Sequence, residues 1–375
     1  MVFGYWHGCT ADVSRTGYRT FSHADQYSFY PVPVAGGLVL PVHSDGADRF
    51  ALVGPDGTTP EWTTQDTDFD GLFYNAQTAV DDRHLIVPAG RHLIDLHPET
   101  GEPRWHYTHE HGGDNNLDII WNDRVFRTYR AAEDRYVFAD IDVRTGKRTW
   151  FDTLSVSRFQ SVTVRSPVVV SENETDFLIL VGTGLNSDGS IENRILRYVL
   201  SENAPPALEE IFSLPETGHL SLLPVPSGAA LYATVGAELV CFSPFGKIYW
   251  QQALPGGLLT SRLVIDGQTI YAAAEDEYLR AFDVTSGNLK WKQPLSGTPG
   301  RLFVTTDDLW IVGGSEPYIF QLKKDGTSTN RYSLPGNAPL RTAYFSEHLS
   351  AVTDGKFWYV GTTDILIETL LIAVE

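Results

Sequence analysis

One short phrase recurs along the chain and ends each time in an aromatic residue. The clearest copies are Asp95-Leu96-His97-Pro98-Glu99-Thr100-Gly101 leading to Trp105, Asp142-Val143-Arg144-Thr145-Gly146 leading to Trp150, and Phe282-Asp283-Val284-Thr285-Ser286-Gly287 leading to Trp291. A phrase that returns at a fixed interval marks an array of one supersecondary unit. A single unit of this size cannot bury its own apolar face, so neighbours must stack.

The closing aromatic serves as a ruler. Trp62, Trp105, Trp150, Trp250 and Trp291 are separated by one interval or a multiple of it. Tyr332 follows a worn turn, Lys324-Asp325-Gly326, and Phe212 fills the wide gap between Trp150 and Trp250. Within a unit the text is strand-like: Leu263-Val264-Ile265, the turn Asp266-Gly267, Thr269-Ile270-Tyr271-Ala272, Tyr278-Leu279-Arg280-Ala281-Phe282, then Leu289-Lys290-Trp291. Short β-rich runs joined by Asp-Gly or Ser-Gly turns are hairpin signals. Four strands in roughly 40–45 residues is the length of one propeller blade.

After Tyr332 the chain supplies three more strands and no fourth. The start of the chain, Phe3-Gly4-Tyr5-Trp6, offers the missing outer strand and an eighth aromatic mark. The expected fold is therefore all-β: one domain over 1–375, an eight-bladed β-propeller closed by an N-terminal strand in the last blade. Seven blades is the alternative count. Closure removes the free sheet edges that template aggregation.

Composition narrows the function classes. The net charge of −19 repels phosphate backbones and anionic lipid, which argues against nucleic acid and membrane surfaces as partners. There is no apolar run of about 18 residues or more to span a bilayer. Met1 to Arg19 has neither a basic start nor an apolar core, so the expectation is a cytoplasmic protein. Two cysteines, Cys9 and Cys241, are too few for a disulfide framework.

The phrase resembles the repeat of the pyrroloquinoline-quinone-like (quinoprotein alcohol dehydrogenase-like) propellers. It stands here as Ala139-Asp140-Ile141-Asp142-Val143-Arg144-Thr145-Gly146…Trp150 and Ala281-Phe282-Asp283-Val284-Thr285-Ser286-Gly287…Trp291. The opening Trp6…Asp12-Val13-Ser14-Arg15-Thr16-Gly17 is similar to the usual start of such chains. The resemblance implies that each Trp docks between neighbouring blades near the turn glycine. It does not extend to the quinone: the vicinal cysteine pair of the true dehydrogenases is missing, and no cofactor or metal is assigned.

In a propeller, chemistry is expected in loops that converge on the central channel. The densest polar loop is His109-Glu110-His111-Gly112-Gly113-Asp114. His109 and His111, two apart, point the same way on an extended chain, and with Asp114 they form a candidate acid–base set. Arg158, Arg262, Arg301 and Arg341 fall near the start of an inner strand in four units. Their guanidinium forks suit an anionic substrate. His219 and Tyr27 occupy matching loops. The leading expectation is a small-molecule site for cofactor-independent cyclase, isomerase or lyase chemistry. The second is a non-catalytic protein-interaction scaffold of the outer-membrane assembly lipoprotein type, with an apolar exposed face or rim.

Overall fold

The computed structural model describes residues 4–5, 18–22, 32–34, 37–44, 47–53, 60–64, 79–80, 83–89, 92–109, 117–132, 135–155, 159–164, 167–186, 189, 191–213, 225–227, 230–235, 237–255, 259, 263–295, 299–304, 307–313, 318–333, 351–353, 357–361 and 368–373. Every regular element among them is a strand. The strands form eight separate sheets, each an antiparallel meander in its main path.

The sixth sheet shows the plan. Val264–Asp266, Thr269–Ala274, Tyr278–Asp283 and Leu289–Pro294 pair in that order, each with the next. The first sheet runs from Val32–Val34 to Pro60–Thr63, the second from Ala79–Val80 to Pro103–Thr108 and the third from Leu117–Trp121 to Arg148–Ser155. The fifth runs from Val225–Ser227 to Ile248–Ala253, and the seventh from Pro299–Val304 to Ser328–Ser333. In the fourth, two short pieces, Phe159–Val164 and Val168–Glu172, share the long strand Thr175–Asn186. Pro167 stands at the break, where a residue without an N–H cannot extend the ladder.

The core lies between sheets. Tyr232, Leu239 and Cys241 of the fifth sheet pack with Ile270, Ala272 and Phe282 of the sixth. Tyr271, Leu279 and Ala281, facing the other way, pack with Leu302, Leu309 and Ile311 of the seventh. A middle strand covered on both faces needs a continuous apolar run instead of alternation, and Thr269–Ala274 is buried at five of its six positions. The outer strand Leu289–Pro294 has one open face and alternates.

The eighth sheet joins the two ends of the chain. Tyr18–Ser22 pairs Glu368–Ala373, with Thr20 opposite Leu370. Its inner strand Ala351–Thr353 touches both Pro299–Val304 of the seventh sheet and Val32–Val34 of the first. The strand pairing with the C-terminal segment is thus not the one expected from the aromatic mark. Gly4–Tyr5 pairs outside Tyr18–Ser22, with Tyr5 opposite Thr20, and Trp6 lies outside the described residues.

The recurring phrase is a capped turn. Asp142 Oδ1 accepts from the amides of Arg144 (3.1 Å) and Thr145 (2.9 Å) and from the Thr145 hydroxyl (2.9 Å). Asp283 repeats this with Thr285 N (3.1 Å), Ser286 N (2.9 Å) and Ser286 Oγ (3.0 Å). The glycine that follows is left-handed, φ 66° at Gly146 and 72° at Gly287. In the first copy His97, not Asp95, holds the turn aspartate's place, because the Gly101 amide bonds the His97 carbonyl at 2.8 Å as Gly146 does that of Asp142 at 2.9 Å.

These turns carry a pH dependence. Burial pushes Asp142 upward, but its bonds to Thr145 and the nearby Arg144 outweigh that and hold it below the usual carboxylate range. The amide and hydroxyl of Ser286 lower Asp283, and the hydroxyl and amide of Thr327 lower Asp325. A carboxyl depressed in the folded state contributes stability above its unfolded value, near 3.8, and loses it as pH falls through the folded value. The urea midpoint is therefore expected to drop between about pH 4 and pH 2, and to drop less in a triple Asp→Asn variant at the three positions. Equal slopes would remove the turns from the acid response.

Candidate functional site

The joints between sheets are built from the outer strands. In five of the sheets the outer strand carries a bulge just before a Trp, as at Trp105 against Asp95 and Trp291 against Ala281. The extra twist sends the indole across to the next sheet's turn. Trp250 Nε1 donates to the Val284 carbonyl at 3.0 Å and Trp291 Nε1 to that of Lys324 at 3.1 Å. Trp62 reaches the carbonyl of Pro98 at 3.2 Å, and Trp105 that of Val143. The ring lies flat on the turn glycine. A Cβ built on Gly287 would sit 2.6 Å from Trp250 Cε3, and one on Gly146 would sit 2.6 Å from Trp105 Cδ2. The docking implied by the resemblance is therefore present at four joints.

Register corrects two aromatic marks. The bulge places Asn330 opposite Gln321 and Glu210 opposite Arg197, where Trp stands in other sheets. Tyr332 and Phe212 lie two residues further along. Around the fourth sheet, arginines tie the joints. Arg124 Nη1 of the third sheet donates to the carbonyls of Ser201 (2.6 Å) and Ala204 (3.3 Å) in the fourth sheet's turn. Arg197 Nη1 donates to Pro244 O (3.0 Å) in the fifth sheet's turn, and its guanidinium lies 4.2 Å from the Phe245 ring centroid. The sequence signals differ: for Arg124 it is the loss of a Thr-Gly turn at Ser201-Glu202-Asn203, and for Arg197 it is Glu210 in the place of a Trp on the fourth sheet's outer strand.

Of the expected site residues, the structure describes His109 fully. Its ring is 1% exposed, stacked on Tyr129 at 4.3 Å between centroids, with Nε2 3.5 Å from Arg127 Nη2. Burial first, then the neighbouring Tyr107, push the Tyr129 phenol up to about 12, so it stays neutral. Arg127 is fully buried and also reaches the His92 carbonyl at 3.5 Å. A histidine enclosed in this way packs the second sheet against the third. Arg301 lies in the inner strand Pro299–Val304, and its side chain is outside the described set. His111, Asp114, Arg158, His219, Arg262, Arg341 and Tyr27 lie outside the described residues. A second buried polar group, His84 Nδ1 on Asp95 Oδ2 at 2.8 Å, sits beside Arg104 at 3.8 Å. Burial raises the Asp95 carboxyl despite the pull of His84 and Arg104.

The outward surface of the sheets is different in kind. The large exposed hydrophobics among the described residues are Phe151, Leu208, Phe245, Tyr249 and Leu289. Four stand on outermost strands of the third to sixth sheets, and Phe245 stands in the turn before one of them. No helix among the described residues is long and apolar enough to cross a membrane.

A meander of four strands repeated as separate sheets, fastened by Trp on a turn glycine, is the β-propeller of the pyrroloquinoline-quinone-like repeat type. Residues 202–338 match the family model described as outer membrane protein assembly factor BamB. The chain is similar in fold to the crystal structure of BamB from Moraxella catarrhalis, with a TM-score of 0.63, 15% identity, and 94% of this chain and 95% of that chain covered. It is also similar in fold to the computationally designed Ika8 protein, with a TM-score of 0.51, 13% identity, and 79% of this chain and 82% of that chain covered. No curated protein matches. These findings overturn the cytoplasmic expectation, since the matching family model is that of an outer-membrane assembly factor. Acidic charge and the composition of Met1 to Arg19 do not report the compartment.

Proposed function

We infer that this chain is a non-catalytic scaffold that binds proteins in the cell envelope, with eight blades closed into one ring as a single domain. The observation that carries the reading is the match of residues 202–338 to an outer-membrane assembly factor, supported by the fold likeness to BamB over nearly the whole of both chains. The eight-bladed ring is supported by the eight sheets and by the eighth sheet's contact with both the seventh and the first. The exposed Phe151, Leu208, Tyr249 and Leu289 support a protein partner, because apolar side chains on outer strands favour contact with another protein over capture of a small anion. The enzyme reading has no comparable support.

A photo-crosslinking residue at Tyr249 or Leu289, in the cells that make the protein, is expected to yield discrete adducts with envelope proteins. Deletion is expected to lower the amount of assembled outer-membrane protein, and the intact chain to restore it. Unchanged assembly on deletion, with no adduct at either position, would refute the scaffold.

A further inference from the structure

We propose that the outer half of the second sheet holds a transition-metal site of copper(II) or nickel(II) type, formed by His92, His106 and Thr108. His92 lies on the strand His92–Leu96, and Thr108 is its direct cross-strand partner on Pro103–Thr108. His106 is two residues before Thr108, so all three side chains leave the same face of the sheet. His92 Nδ1 is 2.9 Å from Thr108 Oγ1 and 2.9 Å from His106 Nε2, and Thr108 Oγ1 is 3.1 Å from His106 Nε2. Two imidazole nitrogens and a hydroxyl oxygen thus form a nearly equilateral triangle.

The triangle's size suits some ions better than others. With metal–nitrogen bonds of about 2.0–2.1 Å, neighbouring ligands at right angles stand about 2.9 Å apart, whereas a tetrahedral zinc site spreads them to about 3.4 Å. The observed edges match one face of an octahedral or tetragonal ion, the geometry of copper(II) and nickel(II) with nitrogen and oxygen donors. No group of three or more His, Cys, Asp or Glu suited to a metal occurs among the described residues, so the site supplies two strong ligands and one weak one. Water fills the remaining positions, which is feasible because His106 and Thr108 are exposed. His92, by contrast, is 8% exposed, and its ring stands 4.8 Å from that of His106 at 56°, which fixes one arm of the chelate.

The test uses the full chain with copper(II) sulfate, followed by electron paramagnetic resonance and equilibrium titration. The wild type is expected to take one tight equivalent with two coordinated imidazole nitrogens. His106→Ala, at an exposed position, is expected to bind that equivalent about 100-fold more weakly or worse, with one nitrogen lost from the spectrum. Thr108→Val is expected to weaken binding less and to keep both nitrogens. Circular dichroism checks that both variants stay folded. If His106→Ala retains the wild-type affinity and spectrum, or the wild type takes no tight equivalent, the triangle is a hydrogen-bond network only and the proposal falls.

Discussion

Trp250→Ala is expected to lower the unfolding free energy by about 3 kcal/mol in urea titrations, the low end of the range for deleting a large aromatic, because the indole is half-buried. The indole fills the space between the fifth and sixth sheets beside Tyr232, at 5.9 Å between ring centroids, and its N–H serves the Val284 carbonyl at 3.0 Å. Truncation leaves a cavity and a carbonyl without its donor. Gly287→Ala should also destabilise, for two reasons: the backbone is left-handed at φ 72°, and the new methyl would press on Trp250 Cε3 at 2.6 Å. The two changes should not add. Once the indole is gone the methyl has room, so the double variant is expected to lose clearly less than the sum, by about 1 kcal/mol or more. Additive losses would mean that indole and glycine do not form one fastening.

Arg124→Ala is the second large effect, expected at about 3–5 kcal/mol. Arg124 Nε lies 3.1 Å from Asp140 Oδ1 and 3.0 Å from Oδ2, and Nη2 also bonds Oδ2. The same guanidinium stacks 5.0 Å from the Phe126 centroid and serves the Ser201 carbonyl across the joint. Asp140 is 2% exposed, so removing the arginine strands a carboxylate in an apolar setting. Adding Asp140→Ala removes that stranded charge and should recover about 1 kcal/mol or more. If the double variant is as weak as the two losses combined, the arginine acts through the turn carbonyls alone and not through the ion pair.

The division of the chain into sheets was legible because the turn chemistry repeats. Asp, then Thr or Ser, then Gly forces one backbone shape, and the Trp four residues on has one place to dock. Legibility failed where that chemistry had changed. Asn330 and Glu210 sit at Trp positions, and a ruler made of aromatics passed over both to reach Tyr332 and Phe212. At the start of the chain, the aromatic mark favoured Phe3–Trp6 over Tyr18–Ser22, although backbone pairing needs no aromatic. His109 was visible as a loop histidine, but its enclosure by Tyr129 and Arg127 depends on the third sheet, which no local pattern reports. The histidine triangle was hidden for the same reason: His92 and His106 become neighbours only through the hairpin between them.

The pairing of Tyr18–Ser22 with Glu368–Ala373 has a temporal side. On a ribosome the early strand emerges long before its partner exists, and it must wait through the synthesis of seven sheets with an unsatisfied hydrogen-bonding edge. Each of those sheets draws its strands from one stretch of sequence and can assemble as it appears. The eighth cannot, so the pairing that joins the two ends of the chain must wait until the final strand has been made.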